Sequence, residues 1–221
     1  MSKLRTRLCG VAMAIMLGTA AQADGAATYD LLFRDGTLDS VSKDVMLHYE
    51  RDVTNALVTE AGPRDTGDVT LSFEGGEPLQ VSLLFERDGK HRNLGTFPAS
   101  VGNPIIMYFV ETVVRDMAES AGGSPFYIRN RVKEALITPT DVIEGEAQFG
   151  DRIVSTQTVV LHPFAEDPNR DKMKGFGDLA LSVTMSDAVP GWYLTLSAAA
   201  QGAEAPVYSS VLSFSELEES K

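Results

Sequence analysis

The chain has 221 residues, 43% of them hydrophobic, and a formal net charge of −12. That acidity excludes ready binding to nucleic acid or to an anionic membrane surface, since both need a basic patch. The only basic group of that kind is Arg129, Arg131 and Lys133, and on one helix it faces solvent or pairs with carboxylates.

The amino terminus reads as an export signal. Lys3, Arg5 and Arg7 precede the apolar stretch Leu8 to Ala20, and Ala21-Gln22-Ala23 fits an A-x-A cleavage site. The apolar run is shorter than the ~20 residues a spanning helix needs. No other apolar run is long enough, so no transmembrane segment is expected in the mature chain. Residues 1–23 are therefore expected to be a secretory signal peptide, cleaved after Ala23 on the way to the periplasm. Cys9, the only cysteine, lies inside that signal. Thr6-Arg7-Leu8 before it is not a lipoprotein cleavage box, so lipidation is not expected. The mature chain starts at Asp24 with net charge −15 and no cysteine. Its core must hold one domain without disulfides.

Ala27 to Arg34 reads as a first strand, closed by the Asp35-Gly36 turn. Asp44 to Val53 reads as a longer one, with Val45, Leu47 and Tyr49 alternating against Met46, His48 and Glu50. Residues 61–68 read as a polar loop. Val69, Leu71 and Phe73 mark another strand. Leu79 to Arg87 and Lys90 to Phe97 flank Asp88-Gly89, a strong hairpin signal.

The central stretch, Asn103 to Leu136, carries a helical period. Asn103 caps a helix and Pro104 sits at its first position. Ile105, Ile106, Phe109, Val110, Val113, Val114, Met117, Ala118 and Ala121 share one face. Glu111, Thr112, Arg115, Asp116, Glu119 and Ser120 form the polar side, with Glu111 and Arg115 as an i,i+4 pair. Gly122-Gly123 ends the helix. Ser124-Pro125 starts a second, with Phe126, Ile128, Val132, Ala135 and Leu136 as its stripe. The first helix is rich in β-branched residues, so burial rather than propensity must hold it.

Beyond the helices, residues 137–145 read as a connector and Gln148 to Leu161 as one long strand. Pro163 to Gly177 is a charged loop. Leu179, Leu181 and Val183 alternate with polar residues, as do Trp192, Leu194 and Leu196 after Pro190-Gly191. Val207 to Phe214 is the last strand.

This order predicts an α+β domain over residues 24–221: a curved, mostly antiparallel sheet with the central helical hairpin packed on one face. The alternative is one sheet per half, packed as a sandwich with the helices inserted. The order of elements is similar to that of periplasmic carriers that hold lipids or acylated peptides inside a half-barrel, a likeness of architecture alone.

Catalytic motifs are missing. There is no G-x-S-x-G elbow, no Walker A and no G-x-G-x-x-G. His48, His91 and His162 are not at zinc-ligand spacing. Asp167, Asn169, Asp171 and Asp178 approach the spacing of a calcium loop, but Lys172 stands where the turn wants glycine. The weak calcium alternative rests on those four, and no cofactor is expected. The predicted function is a non-catalytic periplasmic carrier for an apolar or amphipathic ligand, such as a lipid, lined by Ile106, Phe109, Val113 and Met117. The same four residues are what a plain packed core would present. The rival is an envelope structural or protein-interaction protein without a cavity. Third is a hydrolase assembled from distant residues.

Overall fold

A computed structural model describes residues 25–202 and 204–220. The expected signal peptide and its cleavage site lie outside the described residues. Nine strands run as β1 (Val45–Asn55), β2 (Gly67–Glu74), β3 (Gln80–Arg87), β4 (Lys90–Pro98), β5 (Val142–Phe149), β6 (Arg152–Leu161), β7 (Ala180–Met185), β8 (Tyr193–Gln201) and β9 (Pro206–Glu219). They form one sheet in the order β4-β3-β2-β1-β9-β8-β7-β6-β5. Every neighbouring pair is antiparallel. The helices are α1 (Gly25–Leu32), α2 (Ala61–Asp65), α3 (Ile105–Ala121) and α4 (Pro125–Leu136). The packed pair α3/α4 lies on one face.

The two halves of the chain meet where β1 pairs with β9, from Val45↔Glu219 to Asn55↔Tyr208. One continuous sheet results, not the alternative sandwich. The sheet also curls. Phe149 on β5 and Phe214 on β9 have ring centroids 5.7 Å apart, although four strand spacings of a flat sheet span about 19 Å.

Strand parity places the core. On β1 the buried positions are Leu47, Tyr49, Arg51, Val53 and Asn55. On β9 they are Tyr208, Ser210, Leu212 and Phe214. Against this face α3 sets Ile105, Ile106, Phe109, Val113 and Met117, all buried. Burying each such side chain stabilises by about 1.5–3 kcal/mol, which offsets the mediocre propensity of the helix. Asn103 does cap α3, its Oδ1 accepting the Ile105 N–H at 3.1 Å. Its Nδ2 donates to the Tyr49 hydroxyl at 2.8 Å and to the Gly191 carbonyl at 2.9 Å. Gly122 ends the helix at φ +81°, a conformation glycine enters without a Cβ penalty.

Several expectations are corrected. Residues 27–34 are not a strand, because 25–32 form α1. That helix is docked by its last carbonyls: Trp192 Nε1 donates to Leu31 O at 3.2 Å and the Tyr193 hydroxyl to Leu32 O at 2.5 Å. The polar loop at 61–68 contains α2 and the start of β2. The single strand read over 148–161 is two, since Gly150 at φ +57° turns the chain between β5 and β6. The expected connector at 137–145 holds the start of β5. Glu111 pairs not with Arg115 but with Arg129 across the helical hairpin, at 2.7 and 3.0 Å. Thr112, Asp116 and Ser120, expected on the solvent side of α3, are buried. The charged loop after β6 buries Phe164, Met173 and Phe176.

Candidate functional site: a groove between the helical hairpin and a sheet edge

The helical hairpin does not cover β4 closely. A groove of about 540 Å³ opens between them, walled by Leu94 and Phe97 of β4, Met107, Tyr108 and Val110 of α3, and Val132 and Leu136 of α4. The same groove carries Arg92, Glu111, Arg115, Arg129 and Lys133. Its volume falls within the ~300–1,000 Å³ typical of small-molecule sites.

Strand register relates the groove's walls to the helix. The start of α3 is fixed near Tyr49 by Asn103, and its later turns near Arg51 by Asp116. Along the sheet, Tyr49 stands opposite Val69, Val69 opposite Phe85, and Phe85 opposite Arg92. Leu47 leads by the same path to Gly95. So Arg92 stands on the rung of Tyr49, and Phe97 lies on the side of that rung away from Arg51. Met107 to Arg115 on α3 spans about 12 Å of helix. The Glu111–Arg129 pair and the antiparallel course of α4 set Lys133 level with Met107, so the cations flank the groove along its length.

The charges of the groove are not all paired. Glu111 is taken by Arg129, whose guanidinium is held above its usual pKa by that hydrogen-bonded pair. Arg92 lies over the Phe85 ring at 5.3 Å. Arg92, Arg115 and Lys133 form no ion pair among the described residues. Three cations outside any salt bridge beside an apolar groove stand out in a chain of net charge −12. The arrangement suits a ligand with an anionic head and an apolar tail.

The residues singled out from sequence sit behind this groove. Ile106, Phe109 and Val113 are buried between α3 and the sheet and do not line it. Met117 lines a second cavity of about 410 Å³ with Ile128, Tyr127 and Met173, beyond the turn joining the two helices. The groove residues on α3 are the flanks of the predicted stripe. A flank signal was present in sequence, since Val110 adjoins Glu111 and Met107 faces away from Ile106. Which flank stays open depends on β4, and that was not readable.

The four residues of the calcium spacing have other partners. Asp167 accepts the Tyr127 hydroxyl at 2.6 Å and the Asn169 N–H at 2.8 Å. Burial pushes its carboxyl up, but these donors and Arg131 outweigh that and hold it below the usual range. Asp178 pairs with Arg170. Lys172 reaches Asn169 at 3.4 Å, and Asp171 is exposed. His48 meets Thr70 and Glu218, while His91 stands on the β4 edge and His162 just beyond β6. Among the described residues no three His, Cys, Asp or Glu side chains are grouped to hold a metal ion.

No family model matches the chain, and no curated protein matches it. Among solved structures it is similar to the crystal structure of Mycobacterium tuberculosis lipoprotein LppX, at 13% identity. That likeness covers 89% of this chain and 97% of the other, with a TM-score of 0.37. So loose a superposition leaves the function to be argued from the groove.

Proposed function

We propose that this is a non-catalytic carrier or binding protein of the bacterial periplasm, and that it takes a single-chain amphiphile with an anionic head, of the fatty-acid class. The observation that carries this reading is the groove itself: an apolar channel flanked by Arg92, Arg115 and Lys133, none of them in a salt bridge among the described residues. The tail would lie against Leu94, Phe97, Met107, Val110 and Leu136. The head would meet the cations, where a charge-assisted hydrogen bond is stronger than a neutral one. Ile106, Phe109, Val113 and Met117 would support the ligand from behind by fixing the helix. Export rests on the amino-terminal pattern.

The test is native mass spectrometry on protein purified from its own periplasm without detergent. The expected result is a chain starting at Asp24 that carries, or takes up on challenge with a long-chain fatty acid, one anionic amphiphile per chain. A clean apo mass that stays unchanged on challenge would overturn the reading and favour an envelope protein that binds another protein.

A further inference from the structure

The sheet has two free edges of opposite charge. The β4 edge begins Lys90-His91-Arg92 and contains no acidic residue. The β5 edge contains Glu144 and Glu146 and no basic residue. Both strands are exposed along most of their length. Unpaired strand edges offer main-chain donors and acceptors to another chain, and β4 and β5 end the strand order, each with no strand neighbour on one side among the described residues.

Register makes the charges complementary in detail. Glu144 stands opposite Gln157, and Gln157 opposite the buried Met185, so Glu144 and Glu146 project on the helix-bearing face. Arg92 stands opposite the buried Phe85, so Lys90 and Arg92 project on that same face. Nine alternating strands also make the first and last run in the same direction. A second copy that continues the curled sheet would therefore bring its β4 beside β5 as a parallel strand, with the helix-bearing faces continuous. In that pairing Glu144 neighbours Lys90 and Glu146 neighbours Arg92. Ile143, exposed on the β5 edge, would be covered by the incoming strand.

We infer that these edges are an interaction surface for a second copy of this chain, joined head to tail through β5 of one copy and β4 of the next. The contact is strand addition, with main-chain hydrogen bonds giving affinity and the charged pairs giving register. Because the two surfaces differ, the association is heterologous and continues beyond a dimer unless it closes into a ring. It shares Arg92 with the groove, but the strand pairing itself needs no ligand.

The experiment is sedimentation velocity at rising protein concentration, at low and high salt. One variant, Lys90→Glu/Arg92→Glu, makes both edges acidic. A second, Glu144→Lys/Glu146→Lys, makes both basic. The wild type is expected to form species larger than a monomer at low salt and to lose them at high salt. Each variant alone should associate at least tenfold more weakly. Mixing the two should restore association, because acidic edges then meet basic ones. All these positions are exposed or half-buried, and circular dichroism checks that each variant is folded. A wild type that stays monomeric at millimolar concentration and low salt would overturn the inference. So would association that neither variant weakens, or variants that do not associate when mixed.

Discussion

Arg51 on β1 and Asp116 on α3 meet across the layer between sheet and helix, Nη2 to Oδ2 at 2.9 Å, with side chains only 1% and 6% exposed. The Tyr208 hydroxyl donates to the same carboxylate oxygen at 2.7 Å. One turn on, Asn55 Nδ2 donates to Ser120 Oγ at 2.7 Å, and Ser120 Oγ donates to Asp116 O at 2.6 Å. Apolar side chains seat α3 along its whole length, and its second half adds these polar contacts. The position of α3 fixes one wall of the groove.

Removing one member of this pair should be costly. Arg51→Met leaves a buried carboxylate without its cation, a change that typically costs about 3–5 kcal/mol. Burial already pushes the Asp116 carboxyl up, against the pull of Arg51 and Tyr208. A carboxyl raised on folding contributes stability that is full below the unfolded value and lost as pH rises through the folded one. Without Arg51 the folded value rises further. The variant's deficit in urea unfolding should therefore be small in mild acid and grow towards neutral pH. A deficit independent of pH would contradict this. The double variant Arg51→Met/Asp116→Leu should recover part of the loss at neutral pH.

Asn103 offers a second stability test. Asn103→Ala loses the cap on α3 and leaves the buried Tyr49 hydroxyl without its Asn103 donor. Cap loss costs about 0.5–2 kcal/mol and an unsatisfied buried group about 1–3. Asn103→Asp keeps the cap acceptor and loses the side-chain donors, so its thermal midpoint should fall between those of wild type and alanine variant. Equal midpoints for the two variants would show that capping contributes nothing here.

Glu119 should behave as a surface group. Arg64 donates to both its oxygens at 2.9 and 2.7 Å, which holds its carboxyl below the usual range. A lowered carboxyl stabilises above the unfolded value and loses that stability as pH falls through the folded one. The pair is exposed, so screening keeps it under about 1 kcal/mol. Glu119→Gln is expected to lower stability slightly at neutral pH and low salt. The difference should vanish in acid or at high salt. A large, salt-independent loss would mean the pair carries more than its exposure suggests.

How far the sequence could be read follows from which interactions are local. The Asp88-Gly89 hairpin, the cap at Asn103 and the stop at Gly122 are short-range signals, and all three appear. Residues 27–34 misled because Tyr29, Leu31 and Phe33 alternate like a strand, whereas α1 is docked by Trp192 and Tyr193 from far along the chain. The helical period alone sets Asp116 on the polar side, because its partner Arg51 is a tertiary contact. One signal was available: Arg51 and Asn55 share the inward parity of Leu47 and Tyr49, so two polar groups on the core face called for polar partners. The break at Gly150 was hidden because Gly-Asp is a weaker turn signal than Asp-Gly. The groove was legible only in outline. Met107, Val110, Arg115, Lys133 and Leu136 belong to the predicted helices, but Arg92, Leu94 and Phe97 come from β4, and the strand pairing order alone sets β4 beside them.

The central claim is that the groove recognises an anionic head and an apolar tail together. Its most direct test is isothermal titration of the delipidated protein with a long-chain fatty acid and, in parallel, with the methyl ester of the same acid. Wild type and Arg115→Glu/Lys133→Glu are compared. The account predicts one acid bound per wild-type chain, markedly weaker binding of the ester, and loss of acid binding in the reversed variant. Equal binding of acid and ester, or full binding by the charge-reversed variant, would contradict it.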